Sequence, residues 1–160
     1  MFPLSVFSRP LGINDPALHG GQSSLPYGKL TVTAAMLSQS GLSGFNAAQT
    51  VDGDTGTNAF YTDSSGIGSY LAVDFGAGNN RSVTRARFYI GWPVTATWKI
   101  QYSDNGTDWT DASGTFGASD PAGWKETSWT SVGYHRYWRA YKTDAAGGGN
   151  YHTEFELWGT

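Results

Sequence analysis

From Lys29 onward the apolar residues fall at every second position in a series of short runs. Leu71, Val73 and Phe75 alternate with Ala72 and Asp74, and Ala86, Phe88 and Ile90 alternate with Arg85, Arg87 and Tyr89. Trp98, Ile100 and Tyr102 alternate with Lys99, Gln101 and Ser103. Trp138 and Ala140 alternate with Tyr137, Arg139 and Tyr141, and Phe155 and Leu157 with Glu154, Glu156 and Trp158. A period of two with one apolar face predicts half-buried strands. Thr31-Val32-Thr33-Ala34 predicts an opening strand. Asp104-Asn105-Gly106 predicts a tight turn between two runs, because Asn and Gly tolerate positive φ. No long window keeps the helical period. Six or more short strands with Gly-rich joins predict an antiparallel sandwich or barrel.

Residues 1–29 break this pattern. They hold four of the six prolines (Pro3, Pro10, Pro16 and Pro26), with scattered apolar residues such as Phe2, Leu4, Phe7 and Leu11. An extended N-terminal arm is expected here, followed by one domain over residues 30–160. Such an arm does not order itself, so docking on a neighbouring protein subunit is its expected role, in an oligomer or particle.

Composition supports the sheet reading. Aromatics make up 15% of the 160 residues and Gly numbers 22, while charged residues reach only 14% against roughly 25% in soluble domains. The net charge is −3 and no basic run occurs, which argues against a phosphate-tracking nucleic-acid binder. There is no cysteine, so neither a disulfide nor a thiolate metal site can form. Nothing approaches the ~18 apolar residues of a membrane-spanning helix, and the Pro-broken N-terminus is a poor signal peptide.

Five segments carry more specific information. They are Asn46–Thr57, with Asp52-Gly53-Asp54; Tyr70-Leu71-Ala72-Val73-Asp74-Phe75-Gly76; Trp98-Lys99-Ile100-Gln101-Tyr102-Ser103-Asp104-Asn105-Gly106 running to Trp109; Arg136–Tyr141; and Glu154-Phe155-Glu156-Leu157-Trp158-Gly159. In this order they resemble the discoidin (coagulation factor type C) domains and the related family 32 carbohydrate-binding modules. The resemblance implies an all-β, antiparallel, jelly-roll-like β-sandwich of the galactose-binding-like kind. The sequence departs from the family at Ala59-Phe60, where a Trp is usual, and in lacking the cysteine pair of many animal members.

The resemblance also implies a structural Ca²⁺. Carried over, its ligands are the side chains of Asp52, Asp54 and Thr57, a carbonyl near Gln49, and Glu154. Two carboxylates and a hydroxyl in a Gly-rich turn suit a hard cation that takes six to eight oxygens. Turn hydrogen bonding is the alternative role for Asp52 and Asp54. An EF-hand is excluded, because Thr57 and Asp63 stand where that loop needs Gly and Glu.

Sugar binding needs an aromatic ring for the apolar face of a pyranose and a few fixed polar groups for its hydroxyls. Loop residues are the expected source: Trp92 foremost, in Gly91-Trp92-Pro93, then Tyr61, Trp124, Asn150, Tyr151 and His152. No catalytic motif is present. The three histidines, His19, His135 and His152, sit in no zinc or nucleophile-elbow pattern, and Glu occurs only at 126, 154 and 156. The expected function is a non-catalytic binding or display module. It would be a phage or virus structural component anchored by residues 1–29, located on a virion or outside the cell and contacting host-surface glycans. The alternative is a secreted bacterial carbohydrate-binding module for galactose-type glycans.

Overall fold

A computed structural model describes residues 27–62, 66–91, 96–117, 122–145 and 150–160. In chain order its strands are β1 (Gly28–Lys29), β2 (Leu37–Ser40), β3 (Leu42–Ser43), β4 (Phe60–Thr62), β5 (Tyr70–Asp74) and β6 (Val83–Ile90). They continue with β7 (Trp98–Ser103), β8 (Thr110–Asp111), β9 (Gly123–Ser128), β10 (Tyr137–Lys142) and β11 (Asn150–Gly159). Two antiparallel sheets result. The first has the order β3-β4-β11-β6-β9, with β1 also paired to β11; the second has the order β2-β5-β10-β7-β8. The expected all-β sandwich is what forms. No helix among the described residues is long and apolar enough to cross a membrane.

The alternation explains the sandwich. Ala86, Phe88, Ile90, Phe155 and Leu157 of the first sheet turn inward and are at most 2% exposed, as are Leu71, Val73, Trp98, Ile100, Trp138 and Ala140 of the second. Phe88 is the hinge between layers, with its ring 4.7 Å from Phe155 beside it and 5.2 Å from Trp98 opposite. Burying a ring of this size contributes about 1.5–3 kcal/mol. The β7–β8 hairpin turns where expected. Ser103 Oγ accepts from the Asn105 and Gly106 N–H groups, and Gly106 takes φ +77°.

Two expectations change. Thr31–Ala34 is not a strand: β1 lies earlier, at Gly28–Lys29, and a short 3-10 turn follows at Ala34–Met36. Gly28 and Lys29 therefore belong to the first sheet rather than to the arm. Strands β2 and β9 lie at sheet edges and contain no fully buried residue. Residues 1–26, including His19, and also Asp63, Trp92 and Asp120 fall outside the described residues.

Candidate functional site

The acidic loop folds through its own side chains. Asp52 Oδ1 accepts from the Asp54 N–H at 2.8 Å, and Asp54 Oδ1 from the Gly56 N–H at 2.8 Å. The Thr57 hydroxyl donates to the Asp54 carbonyl at 3.1 Å. These are the turn bonds expected of short acidic residues in a tight loop. Two further bonds fasten the loop to β11: the Phe155 N–H donates to the Thr50 carbonyl at 2.9 Å, and the Gly53 N–H donates to Glu154 Oε1 at 2.7 Å. Glu154 is 1% exposed, beside Asp52. Burial, then the Asp52 carboxylate, push its pKa up to about 7. A sealed carboxylate facing a second carboxylate is short of positive charge, and its hard oxygens fit a divalent cation such as Ca²⁺. Of the expected ligands, Asp52 and Glu154 are brought together. One oxygen of the Asp54 carboxylate accepts from the Gly56 N–H, and at Gln49 it is the N–H, not the expected carbonyl, that is engaged, by Asn46 Oδ1. Among the described residues no third acidic or imidazole side chain completes the group.

Among the described residues the aromatic candidates lie on strands rather than in one loop cluster, with Tyr61, Asn150 and Tyr151 adjacent. Tyr61 lies on β4, Trp124 on β9, and Asn150, Tyr151 and His152 on β11. Tyr61 and Tyr151 pair across their strands, with ring centroids 4.3 Å apart. Trp124 stands on the outer face of the first sheet, edge-on to Tyr89 and stacked on the Arg87 guanidinium at 3.8 Å. His152 is a core residue and no surface ligand: it is fully buried, stacked on Phe60 at 4.6 Å and edge-on to Phe88 and Trp98. The cause is a bulge in β11 between His152 and Glu154, which turns His152 inward although Glu154 and Glu156 face out. Trp92 lies outside the described residues; the Gly91 N–H just before it donates to the Tyr151 carbonyl at 3.1 Å.

A concave site lies elsewhere, on the outer face of the second sheet. Its volume is about 320 Å³, and its lining includes Ser38, Tyr70, Ala72, Trp109, Tyr137 and Arg139. Register explains the hollow. Arg139 pairs with Ala72 on one side and Gln101 on the other, so the small Ala72 leaves space between Tyr70 and Asp74. The β7–β8 hairpin brings Trp109 over the sheet, where the Arg139 guanidinium lies 4.1 Å from its ring centre. Tyr141 and Tyr70 flank the same guanidinium at 4.8 and 5.2 Å. Arg139 Nε donates to Gln101 Oε1 at 2.8 Å, while Gln101 Nε2 donates to Asp111 Oδ1 at 2.6 Å. At the rim, Arg136 grips Asp74 through two bonds of 2.7 and 2.8 Å and holds its carboxyl below the usual range.

The two-sheet architecture as a whole matches known structures. No protein-family model matches the sequence, and no curated protein matches it. Solved structures do. A family 32 module of AlyQ, in complex with 4,5-unsaturated mannuronic acid, superposes with a TM-score of 0.62 at 20% identity, covering 81% of this chain and 97% of that one. Chitosan-binding module 1 of a chitosanase/glucanase from Paenibacillus sp. IK-5 gives 0.59 at 22% identity, covering 81% and 100%. The family 62 module of Clostridium thermocellum Xyl5A gives 0.60 at 20%, covering 84% and 98%. The domain has the galactose-binding-like, or discoidin-like, fold.

Within this galactose-binding-like domain the five sequence motifs have identifiable places. The acidic loop precedes β4, the second and fourth motifs are β5 and β10, the third is the β7–β8 hairpin, and the fifth is the end of β11. Tyr137 and Arg139 were read from sequence only as the outward side of their strand, and Tyr70 only as part of the second motif. The signal that marks them is composition: their outward positions hold rings and a guanidinium where small hydroxyl residues would serve a plain solvent face.

Proposed function

We propose that this chain is a non-catalytic carbohydrate-binding domain whose sugar site is the cleft over Ala72. The observation that carries the reading is the joint presence of Tyr70, Trp109 and Tyr137 with Arg139 and Ser38 around one hollow of about 320 Å³. Rings for the apolar face of a pyranose beside fixed polar groups are what such a ligand requires. The sandwich neighbours add support, since one was solved with 4,5-unsaturated mannuronic acid and another, chitosan-binding module 2, with chitotriose. Binding without catalysis agrees with the histidines described. His135 meets acceptors at both ring nitrogens, Asp104 Oδ1 and the Val132 carbonyl, and His152 is sealed in the core. A glycan array probed with the chain tests the proposal. Signal that weakens in Tyr137→Ala and Trp109→Ala supports it, and an array without signal for the unmodified chain overturns it.

Two narrower roles go with this reading. Ca²⁺ bound between Asp52 and Glu154 would staple the acidic loop to β11; the support is the uncompensated carboxylate pair. A melting temperature raised by Ca²⁺ and restored by EDTA is its test. Display on a phage or virus particle through residues 1–29 is supported by the Pro-rich composition of that segment alone. Deleting residues 1–26 should leave the domain folded while abolishing particle or oligomer incorporation; unchanged incorporation would return the choice to a secreted bacterial module.

A further inference from the structure

The charges around the cleft are unevenly satisfied. Asp74 is held by both arms of Arg136, and Asp111 is engaged by Gln101 and by Lys99 Nζ at 2.9 Å. Arg139 differs. Its Nε reaches a neutral amide oxygen, and among the described residues its other N–H groups make no hydrogen bond; the Asp111 carboxylate attracts it through space without contacting it. Burial lowers its pKa from the ordinary arginine value, a sign of a guanidinium partly stripped of water, yet arginine stays cationic. Trp109, Tyr70 and Tyr141 hold the group in place, so the free edge of the fork is pre-oriented beside the hollow. A planar fork of N–H donors matches a carboxylate in two parallel bonds. At about 320 Å³ the cleft is at the small end of the ~300–1,000 Å³ of ligand pockets, suited to a mono- or disaccharide.

We propose that the cleft selects an acidic sugar, a uronate residue whose carboxylate is taken by the free edge of the Arg139 guanidinium while the ring lies among Tyr70, Trp109 and Tyr137. This rests on the carbohydrate-binding reading and narrows it to a ligand class. The site lies on a sheet face, apart from the Tyr61–Tyr151 pair and from the acidic loop.

The test is titration calorimetry on the full chain with trimers of galacturonate, glucuronate and mannuronate, each beside its neutral methyl ester. The acid of at least one sugar should bind tenfold or more tightly than its ester, with an advantage that shrinks as salt rises. Arg139→Gln should remove the advantage. Ala72→Leu, which fills the floor of the cleft and leaves Arg139 in place, should weaken acid and ester alike. If Arg139→Gln does not melt cooperatively, the Ala72→Leu result and the salt dependence of the unmodified chain decide. Equal binding of acid and ester, or acid binding undiminished by Ala72→Leu, overturns the assignment of an acidic sugar to this cleft and leaves sugar binding standing. Absence of binding to these trimers and to every glycan on an array overturns both.

Discussion

The outer faces of the two sheets use the same ingredients to different ends. On the first sheet Arg85 and Arg87 lie over Trp158, and Arg87 also over Trp124. Each also has a carboxylate of its own: Arg85 pairs with Glu126, and Arg87 with Glu156 at 2.6 Å. On the second sheet Arg139 is stacked just as closely, on Trp109, but ends on the amide of Gln101 beside a hollow. Stacking is therefore a means of fixing an arginine and does not mark a site by itself. The lack of a carboxylate in direct contact does, since Asp111 acts on Arg139 only through space. The same contrast recurs within one strand. Burial would raise the Glu156 carboxyl, yet Arg87 and Lys29 bring it below the usual value; Glu154, two residues earlier, faces Asp52 and is driven up.

The largest expected effect tests that glutamate contrast. Glu154 has a folded pKa of about 7 against 4.5 for the free side chain, so the folded state binds the extra proton between those values. In EDTA the Glu154 contribution to stability is then full below about pH 4.5 and is lost as pH rises through about 7, by on the order of 3 kcal/mol. Urea melts across this range should show the loss, and Glu154→Gln should flatten it. Added Ca²⁺ at pH 8 should restore the unmodified chain and leave Glu154→Gln unmoved. Next, Glu156→Gln strips the carboxylate from between Lys29 and Arg87 and should cost about 2 kcal/mol in denaturant melts, with sugar binding unchanged. Arg139→Gln should do the reverse: about tenfold in sugar affinity, roughly 1.4 kcal/mol, with less than about 1 kcal/mol in stability. The smallest change belongs to Arg85→Gln, whose partner Glu126 is half exposed; it should fall within about 0.5 kcal/mol and leave binding intact. A large binding loss in Arg85→Gln or Glu156→Gln would erase the distinction between the two faces.

The central strands were legible because a buried sheet face writes a period of two into the sequence, as in β6 and β10. Edge strands such as β9 bury too little to leave that mark. The bulge in β11 was not legible, because one inserted residue reverses the face of His152 without any compositional signature. The meeting of Asp52 and Glu154, far apart along the chain, came only through likeness to the discoidin domains. The cleft was missed for a related reason. It depends on Ala72 standing opposite Arg139 and on a hairpin that carries Trp109 back over the sheet, both matters of register between distant strands.

Sugar binding is assigned to the outer face of the second sheet. Its most direct test is a backbone and side-chain NMR titration of the isotope-labelled full chain with a uronate trimer. Shifts should centre on Ala72, Gln101, the Trp109 indole N–H and the Arg139 guanidinium N–H. Shifts centred instead on the Tyr61–Tyr151 pair, with the Ala72 and Arg139 signals unmoved, would contradict it.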